Sequence, residues 1–218
     1  MTVQLTAEQV LDEHPQASVL SVDFFDTLIT RSVAQPTHVF AVMEQNLVTS
    51  HGDSWRGFAV ARVEAEQRAR HGAASENGQR DITLDEIGLH LASQLALNAS
   101  DRDMVMAVER ETELQLVQVV PFGAAITEAA RSRGLRVAVV SDNYMPATHL
   151  LQMAHRAGYS WITEDDIFVS CEHGGLKHNG MLWPVVLSAL NVPAGSILHV
   201  GDDENADGEV PKSLGIAT

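Results

Sequence analysis

The stretch 18–30 (SVLSVDFFDTLIT) limits the possible folds more than any other. Val19, Leu20, Val22, Phe24 and Phe25 form a short apolar run, interrupted by Asp23 and Asp26. Such a run, rich in Val and Phe, reads as a strand buried on both faces, the mark of a parallel sheet. A carboxylate near the end of that strand is costly unless it is paired, hydrogen-bonded or bound to a metal. Ligands of open α/β sheets bind at the carboxyl ends of the strands, so Asp23 stands where a reactive group would be placed. The plainer reading is an Asp that opens a turn and caps the next element. For Asp26-Thr27 the two readings balance.

With 218 residues the chain has room for one core domain and one sizeable insertion. A short helix capped at Thr6 and ended by Pro15 precedes the first strand. From Pro121 onward, helices at 122–133, 148–157 and 182–190 alternate with strands at 135–140, 167–170 and 197–200. Gly215-Ile216-Ala217 begins a last strand. This alternation implies a parallel sheet with right-handed crossovers. The end inside a strand suggests a very short edge strand or a longer parent chain.

Residues 31–118 carry helical spacing instead. Val39, Phe40, Val42, Met43 and Leu47 recur on one face, as do Phe58, Val60, Ala61, Val63 and Ala65. Thr83 and Glu86 make a capping box for a helix through Ile87, Leu91 and Leu95, and Asp101 would cap another from Met104 to Leu116. Residues 72–78 (GAASENG) read as a flexible loop. We expect a helical cap at 37–118, inserted after the first strand of a core made of 1–36 and 119–218.

A net charge of −15 argues against nucleic-acid and anionic-membrane partners, which it would repel. No apolar run approaches the roughly 18–20 residues of a membrane span. The first residues lack the basic and apolar regions of a signal peptide. Cys171 is the single cysteine, so no intrachain disulfide forms, which fits a reducing, cytoplasmic setting. Only two of the 14 basic side chains are lysines, Lys177 and Lys212.

Polar groups gather at four strand ends: Asp23 with Thr27, Ser141 with Asn143, Lys177 after the third strand, and Asp202 with Asp203 and Asp207. Topology directs them into one crevice. The motifs VDFFDT, VVSDN, GGLKHNG and HVGDDENAD, in this order and at domain-sized spacing, resemble those of the haloacid dehalogenase-like (HAD) hydrolase superfamily over about residues 18–216. VDFFDTLITR and SDNYMP are closer still to a bacterial branch with an FDxFDTLxxR-type first motif. Members of that branch occur beside or fused to glycosyltransferases of surface-polysaccharide systems.

The resemblance implies a Rossmann-like α/β core with a C1-type helical cap, and a Mg²⁺-dependent phosphohydrolase acting on a small phosphorylated substrate. Asp23 would be the nucleophile, forming an aspartyl-phosphate and splitting one displacement into two. Mg²⁺, a hard ion, takes carboxylates, waters and phosphate oxygens. Asp23 and Asp202 are its candidate ligands, with Asp207 and Asp203 as a third ligand or as supporting groups. Lys177 would neutralise nucleophile and phosphoryl oxygens. Ser141 and Asn143 would bind the phosphoryl group, and Thr27 would orient Asp23 or the loop after it. Against these readings stand an acidic surface turn for GDDENAD, a solvated lysine for Lys177, and a helix N-cap for Ser141. His199 reads as a core residue, His173 and His178 as loop residues, and Cys171 lacks the context of a nucleophile.

The chain departs from the superfamily at one position. Its phosphatases carry a second Asp two residues after the nucleophile, as general acid and base; here that residue is Phe25. Asp26, one residue later, points to the other face of an extended chain. General acid catalysis contributes about 10²- to 10⁴-fold. Its absence implies a substrate with a good leaving group, an acid from the cap, or weak activity. Dehalogenases of the superfamily also lack the second Asp but act without a metal, which fits poorly with the acidic GDD motif. The phosphonate-cleaving branch uses a cap lysine, and this cap has none. The alternatives are a non-catalytic HAD-like binding domain and a metal-free 2-haloacid dehalogenase.

Overall fold

The computed structural model describes residues 5–75 and 80–218. Helix α1 (Ala7–Asp12) is capped by Thr6 in a capping box with Gln9 and leads into strand β1 (Val19–Val22). Strand β2 (Ile29–Arg31) follows, and then four helices: α2 (His38–His51), α3 (Phe58–Ser75), α4 (Leu84–Leu95) and α5 (Ala99–Leu116). The chain returns through β3 (Val117–Val119), α6 (Pro121–Ser132), β4 (Arg136–Ser141), α7 (Ala147–Arg156) and β5 (Ile167–Val169). It ends with α8 (Ser170–His173), α9 (Trp183–Leu190), β6 (Ile197–Val200), a π-helical turn at Glu204–Glu209 and α10 (Val210–Ser213).

The sheet is parallel in the order β5-β4-β1-β6, with Val19 opposite both Arg136 and Ile197. Successive side chains of a strand face opposite sides. Leu20, Val22, Val137 and Val139 accordingly join one apolar cluster with α1, α6 and α7. Val19, Ala138 and Val140 join a second one with Trp183 and Val186 of α9. Both faces are covered, as a parallel sheet requires. This is the Rossmann-like α/β fold expected from the sequence. At the chain's end, Ala217 bridges Leu198 and accepts from the His199 amide at 2.7 Å, a minimal edge strand.

Helices α2–α5 share a third apolar cluster. Ala61, Ala65, Ala69 and Ala73 recur every fourth residue on the buried side of α3, letting neighbouring helices approach closely. Val60, expected on that face, is 64% exposed. Arg62 lies wholly buried among these helices, held bidentately by Glu109 at 2.6 and 2.7 Å. The segment enters and leaves through β2 and β3, which pair antiparallel as a two-stranded ribbon. Strands of three residues are too short to carry an alternation, so the ribbon left no trace in the sequence pattern.

Thr83 and Glu86 form the expected capping box of α4. The cap of α5 is Asn98, whose side chain accepts from the Asp101 amide at 2.9 Å, so Asp101 sits inside the helix it was expected to open. Of the loop expected at 72–78, residues 72–75 continue α3, and 76–78 lie outside the described residues. Among the described residues no helix is long and apolar enough to cross a membrane.

Candidate active site

Asp23 directly follows β1, and its amide donates to the Val200 carbonyl of β6 at 2.9 Å. The chain then turns sharply: the Leu28 and Ile29 amides both donate to the Phe24 carbonyl at 3.0 Å. Asp26 takes the left-handed conformation this turn needs, with φ at 56°. Its carboxylate faces outward and accepts from the Thr30 hydroxyl at 2.6 Å. The first turn of α6 presses on this loop at Gly123, where a Cβ would come within 2.1 Å of the Thr27 carbonyl oxygen. Among the described residues the buried Thr27 hydroxyl has no hydrogen-bond partner, so it bonds neither to Asp23 nor to the loop after it.

Lys177 is 3% exposed, and its ammonium bridges two carboxylates, Asp23 Oδ1 and Asp207 Oδ1, each at 2.5 Å. Asp202 completes the group: carboxylate oxygens of Asp23, Asp202 and Asp207 lie within 4.8 Å of one another. Burial pushes Asp23 up to about 7, against the Lys177 charge and with the help of the Asp207 charge. Burial also raises Asp202, again helped by Asp207. Burial opposes the charge of Asp207, but the His199 hydrogen bond and the Lys177 charge hold it below the usual carboxylate range. Burial lowers His199, outweighing its bond to Asp207. Three carboxylates against one ammonium leave an excess of negative charge. Hard oxygen donors with unmet charge suit a divalent cation such as Mg²⁺.

Asp207 is steered by groups beneath it. His199 Nε2 lies 2.8 Å from Asp207 Oδ1, and His199 Nδ1 lies 2.8 Å from Ser21 Oγ. An ionised carboxylate only accepts, so Nε2 carries the proton and Nδ1 accepts from Ser21. Trp183 meets the imidazole edge-on at 4.9 Å. Asp207 also packs on bare backbone at Gly201, where a Cβ would stand 2.1 Å from its Cγ. His199, expected as a core residue, is therefore both buried and bonded to the acidic group; the only sequence signal was a histidine two residues before Gly201-Asp202.

Asp23, Phe25, Ser141, Asp142, Lys177, His178, Asp202, Asp203 and Asp207 line one cavity of about 400 Å³ at the carboxyl edge of the sheet. Ser141 ends β4 and is 2% exposed. Asp203 contributes backbone rather than a ligand: its carboxylate caps the next turn, accepting from the Asn205 amide at 2.9 Å and the Ala206 amide at 2.6 Å. Asn143 likewise turns inward, its Oδ1 accepting from the Met145 amide at 2.8 Å. The Asp142 carboxylate holds the lysine loop. It accepts from the Lys177 amide at 2.5 Å, the His178 amide at 3.1 Å and His178 Nδ1 at 2.9 Å. Phe25 fills the place two residues after Asp23, and the Arg31 guanidinium covers its ring at 3.7 Å. Arg31 is itself tied to buried Glu113 at 2.6 Å. Burial pushes the Cys171 thiol up to about 12, which leaves it inert.

No family model and no curated protein matches the chain. Solved structures do. A 2-haloacid dehalogenase from Pseudomonas syringae pv. Tomato DC3000 is similar at 16% identity and a TM-score of 0.61, covering 92% of this chain and 84% of that one. L-2-haloacid dehalogenase from Xanthobacter autotrophicus is similar at 15% identity and a TM-score of 0.57, covering 92% and 75%. The HAD-hydrolase YfnB from Bacillus subtilis, bound to magnesium, is similar at 16% identity and a TM-score of 0.58, covering 92% and 86%. The chain has the fold of the HAD-like hydrolases.

Proposed function

We propose that the protein is a Mg²⁺-dependent phosphohydrolase of HAD type acting on a small phosphorylated metabolite. One observation carries the reading: three carboxylates and one buried lysine converge at the end of the central strand. Asp23 is the nucleophile. Its carboxylate oxygen attacks phosphorus, the P–O bond to the leaving group breaks, and water then cleaves the aspartyl-phosphate and returns the carboxylate. Lys177 faces both the nucleophile and Asp207, and offsets the charge of the incoming phosphoryl oxygens. The Ser141 hydroxyl lies on the same cavity and supplies a donor to the phosphoryl group. Asp23, Asp202 and Asp207 would hold Mg²⁺, which when bound neutralises phosphoryl charge. Residues 37–118 serve as the cap over this edge of the sheet.

Phe25 cannot protonate a leaving group. The reaction therefore favours leaving groups that depart as anions, and aryl and acyl phosphates are turned over much faster than alkyl phosphates. The test is phosphate release from an aryl, acyl and sugar phosphate panel, with Mg²⁺ or EDTA, beside Asp23→Asn. Turnover that needs both Mg²⁺ and Asp23 is expected; equal rates for aryl and alkyl esters would refute the missing acid. The apolar Phe25 also favours a second reading, a 2-haloacid dehalogenase, in which Asp23 displaces halide from carbon. That reading requires halide release from a 2-haloacid in EDTA. A folded protein with neither activity would be a binding domain.

A further inference from the structure

We propose that Asp81, outside the cavity on the segment between α3 and α4, is a positioning residue for the site and acts through Ser170. Asp81 is 5% exposed, a costly place for a carboxylate that only accepts hydrogen bonds. Its Oδ2 accepts from the Ser170 hydroxyl at 2.6 Å, and its Oδ1 accepts from the Ile82 amide at 2.8 Å and from Arg70 at 3.0 Å. Ser170, wholly buried as the first residue of α8 directly after β5, in turn accepts from the Asn143 amide at 2.9 Å. Three residues past Asp81, the Leu84 amide donates to the Tyr144 carbonyl at 2.9 Å. The helical segment thus grips the turn after β4 at two consecutive residues.

That turn follows Ser141, the last residue of β4, which lines the cavity, and it carries Asp142, which holds the Lys177 and His178 amides. The relay therefore runs from Arg70 through Asp81, Ser170 and the turn at 141–143 to the loop that delivers Lys177. A hydroxyl that donates to a carboxylate is a better acceptor for the next donor, because linked hydrogen bonds polarise one another. Asp81 orients the Ser170 hydroxyl so that its lone pair meets the Asn143 amide. A neutral pair could close the same gap between segments; the ionised one fixes a single orientation.

The proposal rests on the reading of this cavity as the site, but its test needs no substrate. Hydrogen exchange is followed by mass spectrometry on the full chain, comparing wild type with Asp81→Ala, Ser170→Ala and the double variant. Leu47→Ala, in the apolar cluster of α2–α5, is the control for loss of stability alone. Expected is a rise of about tenfold or more at 143–145 in Asp81→Ala, followed by 177–178, with β1 and β6 unchanged. The double variant exchanges no faster there than Ser170→Ala, because the two residues act in series. Unchanged exchange at 143–145 in Asp81→Ala, a rise no larger than in Leu47→Ala at equal loss of stability, or additive effects would each overturn the proposal. If Asp81→Ala does not fold, Asp81→Asn, which keeps the shape and loses the charge, takes its place under the same criteria. A panel without turnover would refute the phosphohydrolase alone, and turnover with unchanged exchange would refute the relay alone.

Discussion

Lys177→Met separates the charge of the lysine from its bulk. The ammonium bridges Asp23 and Asp207 at 2.5 Å each, and all three side chains are buried. Removing one partner of a buried ion pair costs about 3–5 kcal/mol, because the remaining charge is left without compensation. For a chain of this size each kcal/mol lowers Tm by roughly 2–4 °C, so a fall of about 6–20 °C is expected in EDTA. Mg²⁺ supplies the missing positive charge. With the competing ammonium gone the variant should bind Mg²⁺ more tightly than wild type; a ligand at a hundredfold excess over Kd stabilises by about 2.7 kcal/mol, and each tenfold gain in affinity adds about 1.4 kcal/mol at the same Mg²⁺ concentration. The assay is urea unfolding followed by circular dichroism, with EDTA or MgCl₂, beside the exposed Lys212→Met as control. Mg²⁺ should narrow the gap between Lys177→Met and wild type. A loss under about 1 kcal/mol in EDTA, the range of a solvated surface pair, would refute the bridging role. Mg²⁺ stabilising wild type more than the variant would refute the shared cation site.

Two further outcomes follow from the packing. Burial, with the Arg110 charge, lowers His149 from 6.5 to about 4. The unfolded chain takes up that proton first, so stability is complete above pH 6.5 and falls by about 3 kcal/mol as pH drops towards 4; His149→Leu should flatten that slope in urea titrations from pH 7 to 4.5, and an unchanged slope would clear His149. Gly201→Ala drives a methyl into Asp207, and a displacement of this order should cost about 10²-fold in kcat and abolish the Mg²⁺-induced rise in Tm; an unaltered Mg²⁺ response would show that Asp207 is not a ligand.

The sheet could be read from the sequence because a strand buried on both faces needs a continuous apolar run, and 135–140 and 197–200 have no other use for one. The helices of 38–116 could be read because one face must be apolar every three to four residues. What escaped was decided at long range. Asn98 and Asp101 are equally good caps by type, and only the start of the packed face chose between them. Asp203 and Asp207 are equivalent in the string GDDENAD, yet His199, eight residues earlier on β6, draws in Asp207 while Asp203 caps the turn. Asp142 is one letter of the VVSDN motif, but its carboxylate reaches 35 residues along the chain to the Lys177 amide. Asp81 and Ser170 are 89 residues apart and belong to no motif.

The phenylalanine after the nucleophile invites one more experiment, whose outcome depends on its neighbour. Phe25→Asp would place a carboxyl group where phosphatases of the superfamily keep their general acid. A general acid contributes about 10²- to 10⁴-fold and is most effective when its pKa lies near the working pH. The Arg31 guanidinium, however, sits 3.7 Å from the centre of the ring that the new side chain would replace. An opposite charge beside the new side chain favours the ionised carboxylate and lowers its pKa, as does any approach to bound Mg²⁺. The new Asp would be a poor acid, held ionised by an arginine that Glu113 already fixes in place. We therefore expect Phe25→Asp to leave the ratio of alkyl to aryl phosphate turnover within about threefold of wild type, far short of the gain a working acid confers. A rise in that ratio of about 10²-fold would show that Arg31 does not control this position, and that the chain lacks only one carboxylate of an ordinary phosphatase site.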